Sequence, residues 1–493
     1  MNTFLVSMAA PRPSWLPLLL LSRNDLVPKR VIKENTLRIR GAGGPVSLLL
    51  WGLGAGCGPT APATSSPLPA PPAWITLDCG ATDNALRLQC AVEVRPPQPI
   101  QIHVERSDGQ GEARVFTGDG DLAEHIVVVY FLAPETEHTL TAVAASGAGP
   151  RAHTTAHTSA VPLGLSSRLQ GTGEAPSGLI GAATPCSDDA IAVIYDLRTG
   201  GLVWYQELDP LGRLDLFHMV RFTEDHTILG ETAASIVEVD LQGQQLVRLA
   251  RGQHYGPELH HDIFRRGDVY YGMYQRLLGG LGFQADRLDA LLLLDRRGVQ
   301  LARWLPEDHL DLPADWSGDW MHTNTIFVDE AGDIYLSLLT QAAVIKLDGA
   351  LDSPTFGDPL WILEGGDGAL QGDIEVDWSG IGGPDAFLDQ HDVSLASDGR
   401  LVLLDNAHGR GLVLVLDEET STARVTGSYP TAEDACRAQG TAAITVDGTV
   451  VVACSTDRIR AYGGDAQLRW EASVSCDGGE PASVVRWSPL DGW

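Results

Sequence analysis

The sequence predicts an all-β protein: a six-bladed β-propeller preceded by a small immunoglobulin- or fibronectin III-like β-sandwich. Three observations carry that prediction. Short apolar/polar alternations fill residues 74–158, and long helical periodicity is missing throughout. Turns rich in Gly and Asp separate the alternating runs. From residue 159 a strand–turn–strand unit recurs, at intervals of about 40 to 65 residues, as blades with loop insertions would.

Taken in order, residues 1–57 read as a lipoprotein-type export signal. Lys29, Arg30, Lys33, Arg38 and Arg40 form a basic region, "PVSLLLWGLGAG" supplies an apolar stretch, and Cys57 follows small residues in "LGAGC" as a lipid-accepting cysteine would. The apolar stretch is short for a transmembrane helix; a single membrane anchor is the alternative. Residues 1–28 precede the basic region, as they would if translation began downstream of Met1. The stretch 58–73, "GPTAPATSSPLPAPPA", is a Pro/Ala/Ser linker that would hold a domain off a surface.

Residues 74–158 hold "LRLQCAVEV", "IQIHVERS", "IVVVYFL" and "HTLTAVAAS", separated by turn residues, and read as the sandwich, a spacer or a lid. Residues 159–493 read as the propeller. Its six copies run from "AIAVIYDLRTGGLVWYQEL" to "GTVVVACSTDRIRAYGGDAQLRWEA", with seven blades or another solenoid as the alternative.

Charge and cysteines bound the function. With 34 Lys and Arg against 64 Asp and Glu, the formal net charge is −30. That balance argues against a nucleic-acid partner, because phosphate binding needs basic patches. Of seven cysteines, lipidation of Cys57 would leave six, an even number suited to an oxidising compartment. The suggested pairs are Cys79 with Cys90, Cys436 with Cys454, and Cys186 with Cys476. No CxxC spacing points to zinc.

Histidines recur just before the Gly turns: His218 in "FHMVRF", His260 and His261 in "LHHDIF", His322 in "MHTNTIF" and His391 in "QHDVSL". In a propeller these positions open the innermost strands, so residues distant in sequence converge on one axis. The corresponding stretch of the last copy, "GTAAITVDG", has no histidine. Acidic residues flank the imidazoles in "DWMHTN", "ELHHDI" and "DQHDVS", where they could fix tautomers. For Asp262 and Asp392 an equal reading is a cap on backbone amides of the next blade. Trp316, Trp320, Trp361 and Trp378 either wall an aromatic pocket or pack between blades.

The segments "HHDI", "DWMHTN…GDIYLSLLTQAAVIKLD", "PLWILEGGDG" and "QHDVSLASDGRLVLLDN" resemble the bacterial arylsulfate sulfotransferases, periplasmic six-bladed propellers with a small N-terminal β-domain. The resemblance runs over most of residues 160–480 and is best from 255 to 410. It implies nucleotide-independent transfer of a sulfuryl group from an aryl sulfate to a phenol, without a cofactor. His391 matches the histidine that becomes sulfated, and His261 and His322 match its supporting histidines. His260, His218, Asn324 and Arg410 are candidates for substrate contacts. One departure stands out: Leu339 occupies the position of a sulfate-binding arginine, leaving Arg410 or Arg265 as substitutes. Two other functions compete. One is a lipid-anchored propeller that binds a ligand or partner without catalysis. The other is a metal-dependent hydrolase using His261, His322 and His391. A second copy of the chain as a partner is left open.

Overall fold

In the computed structural model, the residues described are 73–493 except 148, 163, 167, 184–188, 214–218, 233, 280–284, 367, 369, 477–483 and 485. The export signal with Cys57, nearly all of the 58–73 linker, His218 and Cys186 therefore lie outside the described residues.

The described chain is almost wholly β. Two sheets come first. Trp74–Ala81, Leu88–Arg95 and Glu124–Val129 form one, and Arg114–Gly118, Ile100–Arg106, Glu137–Ala144 and Arg151–His157 form the other. Strand Leu88–Arg95 buries every second residue, so Leu88, Cys90, Val92 and Val94 meet Ile100, Ile102, Val104, Leu140 and Ala142 in a core of their own. These sheets attach to the outer strand of the next sheet. Asn84 Nδ2 donates to Tyr205 O at 2.9 Å, and Arg87 reaches Gln206 Oε1 at 2.7 Å.

Six sheets follow, each built on antiparallel strands. Their first strands are Trp487–Leu490, Val220–Phe222, Leu259–Arg266, Thr323–Val328, His391–Leu395 and Thr441–Ile444. Each first strand touches the next, and Trp487–Leu490 touches both Thr441–Ile444 and Val220–Phe222, so the circle closes. Closure is doubled at the outer edge, where the early strand Leu169–Gly173 pairs with Leu468–Val474 of the sixth sheet. Both ends of the repeat region are thereby tied down.

Period-2 geometry explains why these strands read as continuous apolar runs rather than alternations. In "LVLLD", Leu401 and Leu403 point to the cluster shared with the fourth sheet, while Val402 and Leu404 point to the cluster shared with the sixth. A buried cluster lies between every consecutive pair of the six sheets, including sixth and first. The turn "SDG" joins His391–Leu395 to Leu401–Asp405 with Gly399 at φ 84°, a conformation that costs glycine nothing. The four tryptophans belong to packing. Trp320 and Trp316 join the cluster of the third and fourth sheets, and Trp361 and Trp378 that of the fourth and fifth.

Polar side chains stitch neighbouring first strands together. Asp262 Oδ2 accepts from the Ile326 N–H at 2.9 Å, Thr325 Oγ1 from the Asp392 N–H at 2.9 Å, and Asp392 Oδ2 from the Ala442 N–H at 3.0 Å. Of the two readings of Asp262 and Asp392, the amide cap on the next sheet is the one observed. Each carboxylate also pairs with a buried guanidinium, Arg221 on Asp262 and Arg486 on Asp392.

Cys79 pairs with Cys90 across adjacent strands, and Cys436 with Cys454. Cys476 is also disulfide-bonded. The Cys436–Cys454 link spans 18 residues of sequence beside a buried core. Replacing both cysteines with serine should cost about 3 kcal/mol, since closing such a loop restricts the unfolded chain. A lowered urea midpoint of the variant under oxidising conditions, with the difference from wild type disappearing when both are reduced, checks this.

Candidate active site

Three of the first strands carry the same irregularity. The register breaks between Leu259 and Ile263, between Thr323 and Thr325, and between His391 and Ser394. A bulge of this kind re-aims the side chains beside it. The backbone is left-handed at His261 (φ 65°), His322 (φ 45°), Asp389 (φ 54°) and Asp392 (φ 55°). Non-glycine residues adopt that region at a cost, and it concentrates at functional sites. Here it turns histidines from neighbouring sheets toward one space.

That space is a cavity of about 430 Å³, lined by His260, His261, His322, Asp319, Arg287 and Gln275, with Pro257, Glu258, Leu259 and Leu277. The rings of His260 and His261 meet edge to face at 4.7 Å, and those of His261 and His322 at 5.0 Å. His260 and His261 are hydrogen-bonded through their Nδ1 atoms, so one ring donates and the other accepts. His260 Nε2 lies 3.4 Å from Asp289 Oδ1, and Asp289 Oδ2 accepts from the Thr323 N–H at 2.5 Å.

His322 Nδ1 donates to Asp319 Oδ2 at 2.8 Å. That hydrogen bond, against the opposing effect of burial, raises the His322 pKa above the ordinary imidazole value. Burial works against ionisation of Asp319, yet the His322 hydrogen bond and the charge of Arg287 hold its carboxyl below the usual range. Both shifts favour the imidazolium–carboxylate form of the pair.

His391 is different. It is buried and does not line the cavity, but it feels the charge of His322. Its neighbourhood is tied to the His322 strand, because Asn324 Nδ2 donates to Gln390 O at 2.7 Å. His391 Nδ1 faces Asp389 O at 2.9 Å and Asn406 Oδ1 at 3.1 Å. The Asn406 amide is itself oriented, since its Nδ2 donates to Gln439 O at 2.8 Å. Both groups facing Nδ1 are therefore acceptors, so Nδ1 carries the hydrogen and Nε2 keeps its lone pair. Burial, above all, pushes the His391 pKa down to about 4, and the ring is neutral at physiological pH.

The remaining sequence candidates fall as follows. Asn324 braces the His391 strand, as above. Arg410 is buried on Asp405 Oδ2 at 2.8 Å and on the carbonyls of Pro384 and Ala386. Arg265 lines a separate cavity of about 280 Å³ with Arg221, Phe264, Asp392 and Arg486. That cavity shares no lining residue with the histidine cavity. Leu339 sits beside His322, its N–H donating to His322 O at 3.2 Å. Sequence reasoning missed Arg287, Asp289 and Asn406. Asn406 had a signal, the "LDN" that ends the strand paired with His391; the other two had none. Among the described residues no three His, Cys, Asp or Glu side chains group as metal ligands would.

Solved structures similar to this chain are distant. A protein of unknown function from Bacteroides caccae is 13% identical with a TM-score of 0.40, covering 64% of this chain and 99% of its own. A streptogramin B lyase is 10% identical with a TM-score of 0.35, covering 64% and 86%. A putative 6-phosphogluconolactonase from Bacteroides uniformis is 12% identical with a TM-score of 0.36, covering 80% and 100%. No curated protein matches the chain. A family model does: Arylsulfotransferase (ASST), over residues 153–425. The span exceeds half of the 493 residues and contains His260, His261, His322 and His391 with their braces, so the chain that builds this histidine cavity belongs to the arylsulfotransferase family.

Proposed function

We propose that this protein transfers a sulfuryl group from an aryl sulfate to a phenol through a sulfated His391. The observation that carries the reading is the oriented, neutral His391, whose Nδ1–H is engaged by Asp389 O and Asn406 Oδ1 so that Nε2 is the nucleophilic atom.

In the first step Nε2 attacks the ester sulfur. The N–S bond forms, the S–O bond to the aryl ring breaks, and the phenolate departs with that electron pair. His322, whose protonated form Asp319 stabilises, gives its Nε2 proton to the phenolate. In the second step the neutral His322 takes the proton of an acceptor phenol. The phenol oxygen bonds to sulfur, the N–S bond breaks, and His391 Nε2 recovers its lone pair. The sulfuryl group carries its charge on peripheral oxygens throughout, so positioning and directed donors supply most of the catalysis, as in phosphoryl transfer. Export and a lipid on Cys57 belong to the same reading, supported by the basic, apolar and "LGAGC" segments.

The test is mass spectrometry after mixing with nitrophenyl sulfate. Sulfonate on His391, discharged by added phenol, is the expected result; no adduct and no nitrophenol release would refute transfer. Leu339 favours a second reading, a propeller that binds aryl anions without turnover. That reading predicts saturable binding and an unmodified His391.

The pH profile of donor turnover should be a bell. The acid limb falls near pH 4, where His391 Nε2 becomes protonated and loses its lone pair. The alkaline limb lies above the ordinary histidine value, where His322 loses the proton it donates. Asp319→Asn removes the carboxylate that raises the His322 pKa, so the alkaline limb should move to lower pH while the acid limb stays. Rate–pH curves of both proteins check this.

A further inference from the structure

We propose that the second cavity, at the end of the ring's axis away from the histidines, binds a small aromatic anion, with the oxyanion group between Arg221 and Arg486 and the ring against Phe264 and Phe327. The proposal is independent of the transfer reading above.

This cavity of about 280 Å³ is lined from the first strands of all six sheets, which places it on their common axis. Its level along that axis follows from the strands themselves. Leu259–Arg266 starts at the histidine cavity with His260 and His261 and ends here with Phe264, Arg265 and Arg266. Thr323–Val328 follows His322 directly and brings Phe327 here, four residues into the strand. The cavity therefore has its own mouth, on the face opposite the histidines.

Its floor carries more donors than acceptors. Arg221 spends Nε and Nη2 on Asp262 and on Ile326 O, and Arg486 spends Nη2 on Asp392. Among the described residues neither Nη1 has a hydrogen-bond partner. The carboxylates are taken up further: Asp262 also accepts the Ile263 and Ile326 N–H groups, and Asp392 the Ala442 N–H. At the rim, Glu224 is paired with Arg266. The two guanidinium groups also repel each other. Burial first, and then the charge of Arg221, lowers the Arg486 pKa, and the Arg486 side chain is only 10% exposed. An oxyanion between the two Nη1 atoms would supply the missing acceptors and relieve that repulsion, with charge-assisted hydrogen bonds in a water-poor place.

The walls differ from the floor. Phe264 and Phe327 meet edge to face at 5.5 Å, and the Arg221 guanidinium lies over the Phe264 ring at 5.4 Å. Across from them the fifth, sixth and first sheets contribute Ser394, Ala443 and Ser488. Those small side chains leave open a volume that a lone tetrahedral oxyanion does not fill. A mostly apolar pocket with a few convergent polar groups is the usual form of a small-molecule site.

Crystals of the wild-type protein soaked in bromobenzenesulfonate test the assignment, because bromine is located by its anomalous scattering. The sulfur of this probe is bonded to carbon, so it offers His391 no sulfuryl group and reports binding alone. The expected result is bromine beside Phe264 and Phe327, with the sulfonate in reach of both guanidinium groups. Bromine in the histidine cavity only, or in neither cavity, overturns the inference. In solution, calorimetry should show a binding event that Ala443→Leu removes by filling the cavity without touching either ion pair. Arg486→Lys keeps a charge for Asp392 but loses the planar fork, and should weaken the same event about tenfold. Methanesulfonate, which lacks the ring, should bind at least about tenfold more weakly than the aromatic probe. Probe affinity within about twofold of wild type in both variants also overturns the inference. Sulfation of His391, or its failure, bears on none of these outcomes.

Discussion

His391→Ala is expected to abolish turnover of an aryl sulfate, with kcat lower by at least about 10⁴-fold, the scale of losing a covalent nucleophile. No other imidazole among the described residues replaces it. His322 is held by Asp319 in a form that favours the proton, and a protonated ring has no lone pair for sulfur. His260 and His261 are bonded to each other. Among the described histidines only His391 combines an engaged Nδ1 with a pKa lowered to about 4, so that its Nε2 keeps its lone pair across the physiological range. The measurement is nitrophenol release together with the mass of the peptide carrying residue 391. A companion variant separates position from chemistry. Asn406→Ala keeps the imidazole but removes one of the two acceptors that orient it, so adduct formation should slow by about 10- to 100-fold, the usual cost of losing an outer-shell partner. Release of nitrophenol at the wild-type rate by His391→Ala would end the proposed mechanism.

Asp262→Ala should destabilise the ring by about 3–5 kcal/mol, because it strands a buried guanidinium. Asp262 is fully buried, receives Arg221 Nε at 2.8 Å, and accepts the Ile326 N–H of the next sheet. Arg221 also donates to Ile326 O at 2.8 Å, so one ion pair clamps the first strands of three consecutive sheets. Removing the carboxylate leaves the Arg221 charge and an amide without their acceptor in a water-poor interior. A lowered thermal unfolding midpoint is the readout. Arg221→Met added to Asp262→Ala should restore much of the loss, since an apolar side chain of similar volume has no charge to strand. If the single variant melts with the wild type, the clamp contributes nothing and the apolar clusters between sheets hold the ring alone.

Much of the fold was legible from local pattern. Short apolar runs and Gly turns are encoded within a few residues, so the strands and the repeated sheet could be read directly, as "QHDVSLASDGRLVLLDN" illustrates. The disulfides Cys79–Cys90 and Cys436–Cys454 were legible too, because each joins positions close in sequence. The recurrence of histidine at the head of an inner strand pointed to His261, His322 and His391; the structure brings His261 and His322 onto one cavity and leaves His391 buried outside its lining.

What each residue does at that convergence was another matter. The sequence put a carboxylate beside every one of these histidines and could not say which would bond to the ring. The left-handed turns and bulges decided it, sending Asp319 to His322 but Asp262 and Asp392 to the next sheet. Arg287 and Asp289 lie on the third strand of their sheet, in a stretch with no motif, and only the folded pairing puts Arg287 on the cavity wall and Asp289 beside His260. By itself, then, the sequence determined the strands, their repetition and the imidazoles at their mouths, since those depend on neighbours along the chain. The opposite pKa shifts of His322 and His391 were decided by tertiary structure, because burial and charge are set by groups that meet only when the ring is closed.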